Sequence, residues 1–453
     1  MQNISDMFHA QSVAVVGASA NPDKMGHTIL HNIIAGGYRG MIFPVNPRGG
    51  DILGYPSYPS IVDIPHPVDL VVIVVPAPFV PDIIEQAGRI NVKGIIIITG
   101  GFREIGNDAL DAEVMNLARG YGIPVVGPNC QGVNYTPNKL CASWPLITAK
   151  GPIAVISQSG TIGAAISMWA EKDEIGISAF VSLGNRSDVS EIDLMYFFAE
   201  DEETRCIALN IEGVSDGKRF IDCIRKIADV KPIIVLKPGR SPEGQRAAES
   251  HTKAIGGDDA VFDALCRQFN LIRAYDLDEF YDLCKLAAFI SSPMGNNLAV
   301  ITSSGGSGIL AVDAAVENGL KIPKLSDESI SKLKEILPSQ CVISNPLDLT
   351  GDALADRYSD ALEVLRSDCT FDTFLVIFGD PIPDTAEVFL ELMEKSEKKF
   401  IVSYLGGGDV EESEKNALHR ISIPVFPTPE RAVKAISAIQ KYYERKDEKK
   451  DEV

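Results

Sequence analysis

The sequence predicts an α/β protein made of three consecutive doubly wound domains. Its 453 residues are too many for a single core, because soluble chains divide into domains of about 100 to 200 residues. Short runs of Val and Ile alternate with amphipathic stretches, which is typical of parallel sheets covered by helices on both faces. A strand, a Ser- and Gly-rich turn and a helix recur in the second and third parts of the chain, which indicates two similar domains after the first.

The composition and charge limit the classes of function. Hydrophobic residues make up 45% and charged residues 23% of the chain, which is ordinary for a folded protein. The formal net charge of −20 argues against general binding to nucleic acid or to anionic membranes, because phosphate backbones are bound by basic surfaces. We therefore expect no nucleic-acid partner and no membrane partner, although local backbone sites can still bind small polyanions.

The cysteines and the N-terminus indicate a cytoplasmic protein. The eight cysteines include no CxxC pair and no metal-ligand spacing, so we expect buried thiols in a reducing compartment and no metal site. The first residues lack a basic region followed by an apolar run. No span reaches the about 18 apolar residues of a membrane helix.

The first domain is predicted over residues 1–140. Five apolar runs alternate here with helical stretches, as in a Rossmann-like domain with a parallel sheet. These runs are Ser12–Gly17, Met41–Val45, Leu70–Val75, Gly94–Thr99 and Ile123–Val126. Since ligands of open α/β sheets bind at the carboxyl ends of the strands, the turns after these runs should line one site.

Two of these turns indicate the kind of ligand. The first, Gly17–Gly26, does not have the GxGxxG spacing of a dinucleotide-binding turn. After the second run stands Arg48, where an NAD-binding domain usually places an acidic residue for the ribose hydroxyl. An arginine there favours a phosphate on the ribose, which NADP or coenzyme A would supply. A solvated arginine at the sheet edge is the alternative.

The second domain is predicted over residues 150–290 and begins with a strand and a Ser- and Gly-rich turn, Pro152–Ser167. The turn leads into a small-residue helix whose free N–H groups and positive end suit a phosphate, although packing alone can also require glycine there. It lacks the lysine of a Walker A loop. A later strand, Cys206–Ile211, ends in Glu212, which could hold an imidazole ring or instead act as an N-cap or make a surface ion pair.

A polar segment, Ser241–Gly257, contains His251 and offers few apolar anchors. It lies between the strand-like run Lys231–Lys237 and a helical pattern that resumes near Asp259. We therefore expect a mobile loop, bounded by glycines, that could carry a chemical group on its histidine. A histidine that merely decorates the surface is the alternative.

The third domain is predicted over residues 296–440. Its run Leu298–Thr302 is followed by Ser303–Val312, which nearly repeats the strand, turn and helix of the second domain. Two such helix starts facing one another could stabilise a dianionic phosphoryl group, and a neutral histidine between them could accept it. The charged tail, residues 441–453, is expected to fray.

Several short motifs, in this order, resemble those of the alpha subunits of ADP-forming acetyl-CoA synthetases. That family belongs to the NDP-forming acyl-CoA synthetase superfamily and is related to succinyl-CoA synthetase. The resemblance covers roughly residues 5–440. After the CoA-type first domain, its motifs are Gly127–Gly132, Ser157–Thr161, Ile211–Gly213, Ser250–Ala254 and Ser303–Gly308.

The resemblance implies a CoA-binding Rossmann-like domain followed by two flavodoxin-like CoA-ligase domains. It implies the reversible conversion of an acyl-CoA, ADP and phosphate to an acid, ATP and CoA, through an acyl phosphate and a phosphohistidine. Acetate is the default acyl group. His251 resembles the phosphorylated histidine, and Glu212 resembles the glutamate that supports it.

The resemblance also implies two sets of binding residues. The phosphate-binding set is Ser157, Ser159, Gly160, Thr161, Gly305, Gly306 and Ser307. The CoA-binding set is Gly17, Ser19, Lys24, Arg48, Val75, Pro76, Thr99 and Asn129. Gln131 stands where another residue is more familiar in the family, and it receives no role.

The sequence has no counterpart of the family's ATP-grasp module, which binds ADP or ATP with Mg²⁺. The resemblance therefore implies a separate ATP-grasp beta subunit and an α2β2 heterotetramer. Two other interpretations stay open. A CoA-binding regulatory protein without turnover is disfavoured by the presence of both Glu212 and His251, and an NADP-dependent oxidoreductase is disfavoured by the missing GxGxxG turn.

Overall fold

The structure is a computed structural model that describes residues 4–214, 216–252 and 258–451. The chain divides into two compact units. The first unit contains the residues up to Lys172 together with Gly176–Tyr275, and the second contains Asp173–Ile175 and the residues from Asp276 onward. Three mostly parallel sheets with connecting helices confirm the predicted α/β class.

The first sheet lies in the first unit and has five parallel strands in the order β2-β1-β5-β6-β7. The strands of this region are β1 (Ser12–Val16), β2 (Met41–Val45), β3 (Asp51–Ile52), β4 (Tyr55–Pro56), β5 (Leu70–Ile73), β6 (Gly94–Ile97) and β7 (Val125–Val126). The helices are α1 (Ser5–Phe8), α2 (Met25–Ala35), α3 (Val80–Arg89) and α4 (Asp108–Gly120). Parallel pairing brings all five carboxyl ends to one edge.

Each face of the first sheet is covered by apolar side chains. In β1, Val13 and Val15 belong to one hydrophobic core, and Ala14 and Val16 belong to another. Because both faces are buried, the strands read as continuous apolar runs rather than as alternating patterns. The core that contains Val13 also includes Ile156 of the second sheet, so the first two sheets share one core.

The second sheet has seven strands in the order β14-β13-β12-β10-β11-β8-β9, and β8 runs antiparallel to both of its neighbours, β11 and β9. The strands are β8 (Gly132–Tyr135), β9 (Leu140–Ser143), β10 (Lys150–Ser157), β11 (Ile177–Ser182), β12 (Cys206–Asn210), β13 (Ile233–Leu236) and β14 (Ile272–Ala274). The helices are α5 (Gly160–Lys172), α6 (Glu191–Glu200), α7 (Gly217–Ile227), α8 (Pro242–Thr252) and α9 (Asp259–Gln268). This sheet begins at Gly132, before residue 140 where the first domain is predicted to end.

The third sheet lies in the second unit and has five parallel strands in the order β16-β15-β17-β18-β19. The strands are β15 (Leu298–Thr302), β16 (Leu347–Asp348), β17 (Thr373–Phe378), β18 (Lys399–Tyr404) and β19 (Val425–Phe426). The helices of this unit are α10 (Leu277–Phe289), α11 (Gly305–Glu317), α12 (Asp327–Ile336), α13 (Ala355–Leu365), α14 (Thr385–Lys395), α15 (Asp409–Arg420) and α16 (Pro429–Asp451). The described part of the charged tail, which is expected to fray, continues α16 as a regular helix.

The cysteines are mostly buried, as the sequence predicts, with one exception. All eight cysteines are free thiols and seven of them are buried, but Cys369 is exposed, which corrects the expectation that all are buried. Among the described residues, no helix combines the length and the apolar character that crossing a membrane requires.

Candidate functional site

The first turn of the first sheet is built by two glycines in contact. Gly17 follows β1 with a φ of +95°, a left-handed conformation that favours glycine. A Cβ at Gly26, in the first turn of α2, would lie 1.9 Å from the carbonyl oxygen of Gly17. The start of α2 is therefore held directly against the strand end, with the exposed Lys24 as its N-cap residue. A helix start at this edge presents free N–H groups to an anion.

Asn46 connects the loop of Arg48 to that first turn. Its Nδ2 donates a 2.8 Å hydrogen bond to the carbonyl oxygen of Ala18, and its Oδ1 accepts a 2.9 Å bond from the backbone N–H of Arg48. Ser19 lies next to this contact, and its Oγ accepts a 3.1 Å bond from the Asn21 N–H. The predicted residues Ser19 and Arg48 are thus on adjoining loops, and the Arg48 side chain is exposed.

Three further predicted residues are joined by hydrogen bonds along the same edge. Thr99 Oγ1 donates to the carbonyl oxygen of Val75 over 2.7 Å, and the Asn129 N–H donates to the carbonyl oxygen of Thr99 over 2.9 Å. Pro76 follows Val75 and is exposed. The structure therefore brings the turns after β5, β6 and β7 together, as expected for a site at the carboxyl ends of parallel strands.

Glu104 belongs to this edge and was missed at the level of sequence. Its carboxylate accepts hydrogen bonds from the N–H groups of Gly101 and Phe102 and a 2.5 Å bond from Asn185 Nδ2. Partial burial favours the neutral acid, but these hydrogen bonds prevail and lower the pKa of Glu104. The backbone N–H groups of the Gly101 turn therefore already bind a side chain of the protein itself. Asn185 also contacts the predicted residue Asn129, since its Oδ1 accepts a 3.3 Å hydrogen bond from Asn129 Nδ2.

The turn after β10 is organised around the buried Ser157. Its Oγ donates to the carbonyl oxygen of Ser159 over 2.6 Å and lies 2.9 Å from Oδ1 of Asn210, at the end of the neighbouring strand. A Cβ at Gly163 would lie 2.7 Å from the Ser157 Cβ and 2.6 Å from the Phe180 ring, so only glycine fits at this close approach. Helix α5 consequently starts at the strand end, and its first residues are not fully buried.

Gln131 stands beside the first residue of α5. A Cβ on Gly160 would lie 2.6 Å from the Cγ and Cδ of Gln131 and 2.9 Å from its Nε2. The backbone N–H of Gln131 is fixed by a 2.9 Å hydrogen bond to Ser182 Oγ. Sequence reasoning gave Gln131 no role, yet the structure places its neutral amide at the predicted phosphate-binding helix start. Thr161, in the same turn, is exposed.

Glu212 is held by residues on two other loops. Gln158 Oε1 accepts hydrogen bonds from the N–H groups of Glu212 and Gly213. Arg186 Nη1 donates a 2.9 Å bond to the carbonyl oxygen of Gly213 and pairs at 2.9 Å with the fully buried Glu191. Because Gln158 directly follows β10, this contact joins the loop of Glu212 to the phosphate-type turn. The predicted residues Ser157, Ser159, Gly160 and Glu212 therefore share one edge of the second sheet.

His251 lies at the end of a helix rather than in the expected loop. The structure has helix α8 over Pro242–Thr252, and the hydroxyl of Ser241 accepts a 3.0 Å bond from the Gly244 N–H as an N-cap. Proline directly after the N-cap favours the helix further, and this start signal outweighs the polar composition. The expected mobile loop is therefore wrong for the residues of α8. The His251 side chain and residues 253–257 lie outside the described residues.

The repeated turn at β15 lies in the second unit. Thr302 Oγ1 donates to the carbonyl oxygen of Ser304 over 3.0 Å, and the hydroxyl oxygens of Ser304 and Ser307 are 2.9 Å apart. Gly305 and Gly306 are exposed at the start of α11. A Cβ on Gly305 would lie 2.7 Å from Oδ2 of Asp348, so a carboxylate stands at this helix start. That the two helix starts face one another stays a prediction.

Family models match all three parts of the chain. A CoA binding domain matches residues 11–136, a succinyl-CoA ligase like flavodoxin domain matches residues 150–287, and a ligase-CoA domain matches residues 298–448. The alpha subunit of ADP-forming acetate–CoA ligase I from Pyrococcus furiosus is 39% identical over 461 residues, which cover 99% of this chain and 100% of that one. This chain belongs to the family of ADP-forming acetate–CoA ligases.

Two other members of the ADP-forming acetate–CoA ligase family differ in length. The ADP-forming acetate–CoA ligase I of Archaeoglobus fulgidus is 38% identical over 96% of this chain, but this chain spans only 63% of its length. The solved structure of dinucleotide-forming acetyl-coenzyme A synthetase 1 from Ca. Korarchaeum cryptofilum, in complex with phosphate and ADP, superimposes with a TM-score of 0.91. It is 34% identical and covers 99% of this chain and 98% of that chain.

Proposed function

We propose that this chain is the alpha subunit of an ADP-forming acetyl-CoA synthetase. The observation that carries the proposal is the full-length identity of 39% with such a subunit, in a chain whose sheet edge joins the Ser157 turn to Glu212 through Gln158. The overall reaction converts acetyl-CoA, ADP and phosphate to acetate, ATP and CoA. The Korarchaeum relative was solved with phosphate and ADP, which are two of these reactants.

The first step forms acetyl phosphate. An oxygen of hydrogen phosphate attacks the acyl carbon, the carbon–sulfur bond breaks, and the proton of the phosphate ends on the CoA thiol. The CoA would lie at the carboxyl edge of the first sheet, near the start of α2 and the exposed Lys24 and Arg48. Both side chains are cationic and lie within residues 11–136, the part of the chain that matches a CoA binding domain.

The second step transfers the phosphoryl group to His251. A lone pair on one ring nitrogen attacks phosphorus, the bond to the acyl oxygen breaks, and acetate leaves with the electron pair. The other ring nitrogen keeps its proton, and the carboxylate of Glu212 stabilises the resulting cationic ring. In the third step a terminal oxygen of ADP attacks phosphorus, the phosphorus–nitrogen bond breaks, and the ring recovers its lone pair.

The phosphate would be bound chiefly by backbone N–H groups. The start of α5, with Ser159, Gly160 and Thr161, supplies donors and the positive end of a helix. The start of α11, with Gly305, Gly306 and Ser307, is proposed as a phosphate-binding helix start of the second unit. Ser157 is buried and bonded to Ser159 and Asn210, so its part is to shape the turn rather than to touch the phosphate.

We further propose a separate ATP-grasp beta subunit that binds ADP or ATP with Mg²⁺, in an α2β2 heterotetramer. Two comparisons support this: the Pyrococcus relative is named a subunit alpha, and the longer Archaeoglobus relative has additional chain beyond the part matched here. The reactants are intermediates of central metabolism, so we place the protein in the cytoplasm.

The test is incorporation of radioactive phosphate. The full chain, incubated with acetyl-CoA and labelled inorganic phosphate, should become labelled on His251 in an acid-labile, base-stable form, and His251→Asn should remove the label. His66→Asn is the matched control, because His66 is exposed in the first sheet region and lies against Phe43. Labelling of His251→Asn at the wild-type level would overturn the mechanism.

A further inference from the structure

Cations and aromatic rings alternate in a row beside helices α8 and α9. The ammonium of Lys237 lies 5.8 Å from the centre of the Phe262 ring, and the Arg273 guanidinium lies 5.4 Å from that ring and 5.0 Å from the Tyr275 ring. The Arg240 guanidinium lies 5.2 Å from the centre of the same Tyr275 ring. We call Lys237, Phe262, Arg273, Tyr275 and Arg240 the cation–aromatic ladder.

Arg273 is the central member of the ladder and the one with the most contacts. Its side chain is only 4% exposed, and it forms ion pairs with Asp259 and, at 3.2 Å, with Asp263. It also donates a 3.3 Å bond to the backbone carbonyl of Asp259. Tyr275 reinforces the arrangement because its hydroxyl donates to Asp263 over 2.9 Å. A buried guanidinium thus holds the first two turns of α9 at two carboxylates and one carbonyl.

In sequence, the members of the ladder lie on both sides of α8, the helix that contains His251. Lys237 and Arg240 precede α8, whereas Phe262 belongs to α9, which follows it. Arg273 belongs to β14 and is paired in register with Val235 of β13, so the sheet fixes its position. One side chain anchored in the sheet therefore links the chain that enters α8 to the chain that continues into α9.

Stability alone is a weak reason for this arrangement. Replacing buried ion pairs by apolar residues is often neutral or stabilising, whereas such pairs are well suited to fixing one register. Lys237 is also buried, at 3% exposure, and within the part of the chain that the structure describes its ammonium donates one hydrogen bond, over 3.5 Å, to the carbonyl of Pro238. Two buried cations thus flank, in sequence, the segment that contains α8.

We propose that Arg273 is a positioning residue for phosphoryl transfer, which acts through the cation–aromatic ladder by fixing both ends of the chain that carries His251. This inference rests on the proposed function. Phosphoryl transfer needs the ring nitrogen in line with the breaking bond, and a displacement of about 1 Å can cost about 100-fold in rate. In this scheme Arg273 touches neither the phosphate nor the imidazole ring of His251.

The test measures the rate at which the full chain is labelled by acetyl-CoA and radioactive phosphate. Arg273→Gln should slow labelling of His251 by about 100-fold while CoA affinity, measured by calorimetry, stays at the wild-type value. Arg273→Lys should give a labelling rate between those of Arg273→Gln and the wild type. Lysine keeps the charge, but it cannot bond both carboxylates or stack as a planar group. Arg267→Gln is the matched control, since Arg267 pairs with the same Asp263 from an exposed position outside the ladder.

A second variant tests the same inference if Arg273→Gln does not fold. Phe262→Leu removes the ring between Lys237 and Arg273 while both cations remain, and it should slow labelling by about tenfold with unchanged CoA affinity. Wild-type labelling rates in both variants would overturn the inference and leave the proposed function intact. A parallel loss of CoA affinity in both would also overturn it, because it would show a merely structural role. An unlabelled wild-type chain would instead contradict the proposed function.

Discussion

The turn at residues 157–163 and the turn at residues 302–308 have the same backbone framework. In each, the hydroxyl at the end of a strand donates to the carbonyl oxygen two residues later, over 2.6 Å in the first and 3.0 Å in the second. In each, a helical glycine, Gly163 or Gly308, donates its N–H to that same residue, over 3.1 Å and 3.0 Å. The recurrence seen in the sequence is therefore a recurrence of hydrogen bonding.

The polar neighbours of the two turns differ. The first helix start is flanked by the neutral amide of Gln131, whereas the second is flanked by the carboxylate of Asp348. A helix start attracts anions through its N–H groups and its dipole, and a carboxylate already supplies a negative charge there. The framework alone thus does not determine anion binding, and we expect the first turn to bind phosphate more tightly than the second.

The regions around the two turns also differ in their histidines. His251 lies in the last turn of α8 in the first region, whereas His419 of the second unit is 4% exposed and bonded on both ring nitrogens. His419 Nδ1 lies 2.7 Å from the carbonyl oxygen of Asp173, and its Nε2 accepts a 3.2 Å bond from the Val425 N–H. Only the neutral ring can make both bonds, so His419 is a structural residue.

The largest expected effect concerns the pH dependence of the second unit. Burial, and then the nearby Lys285, lower the pKa of His419 to about 4. Between about pH 6.5 and pH 4 the unfolded chain therefore binds a proton that the folded chain does not. The free energy of unfolding of this unit should fall as the pH falls through that range, by about 3 kcal/mol in total. Urea unfolding followed by circular dichroism at several pH values measures it.

The control for this prediction uses the first unit and one variant. Both tryptophans, Trp144 and Trp169, belong to the first unit, so their fluorescence follows that unit alone. His419→Gln should lower stability at pH 7 and should reduce the pH dependence of the second unit. An unchanged pH dependence in this variant would show that carboxylates, rather than His419, cause the loss.

The next effect compares the two helical glycines. A Cβ at Gly163 would lie 2.6 Å from the buried Phe180 ring and 2.7 Å from the Ser157 Cβ, whereas a Cβ at Gly308 would lie 3.0 Å from Thr302 Cγ2 and 3.3 Å from the Pro346 Cβ. Alanine gains about 1 kcal/mol of helix propensity over glycine, but a clash in a close-packed core costs about 1 to 3 kcal/mol. Because two contacts at Gly163 would be shorter than 3.0 Å, we place the cost at the upper end of this range and expect Gly163→Ala to destabilise the first unit by about 2 kcal/mol net.

Gly308→Ala should change the stability of the second unit by less than about 1 kcal/mol, because its neighbours need to move by only a few tenths of an ångström. Thermal unfolding followed by circular dichroism compares the two variants, and tryptophan fluorescence assigns the transition to the first unit. Equal shifts in both variants would contradict the difference in packing between the two turns.

The sequence predicted the features that depend on neighbouring residues. The five strands of the first sheet and the repeated turns follow from local apolar runs and local glycines, and both are confirmed. Helix α8, which contains His251, differs from the expected loop because its start signal, Ser241 followed by Pro242, outweighs its polar composition. That signal was present in the sequence.

Contacts between distant residues could not be predicted in this way. Asn185 bonds to Glu104 across 81 positions, and Ser157 lies beside Asn210 across 53 positions. Gln131 is likewise distant in sequence from Gly160, and its side chain occupies the space that a Cβ on Gly160 would need. Which partners meet at a sheet edge depends on strand order, and strand order depends on packing of the whole domain rather than on local pattern.

A smaller effect than that of Gly163→Ala is expected when a charge is introduced beside the first helix start. Gln131→Glu would place a carboxylate there, as Asp348 does at the second, and the repulsion should raise the KM for phosphate about tenfold, or about 1.4 kcal/mol. Gln131→Met, of similar size without charge, is the control and should change it about twofold at most. Asp348→Asn should leave the KM for phosphate the same or lower it slightly, because one negative charge is removed. A KM that rises equally in Gln131→Glu and Gln131→Met would show that packing against Gly160, rather than charge, distinguishes the first turn.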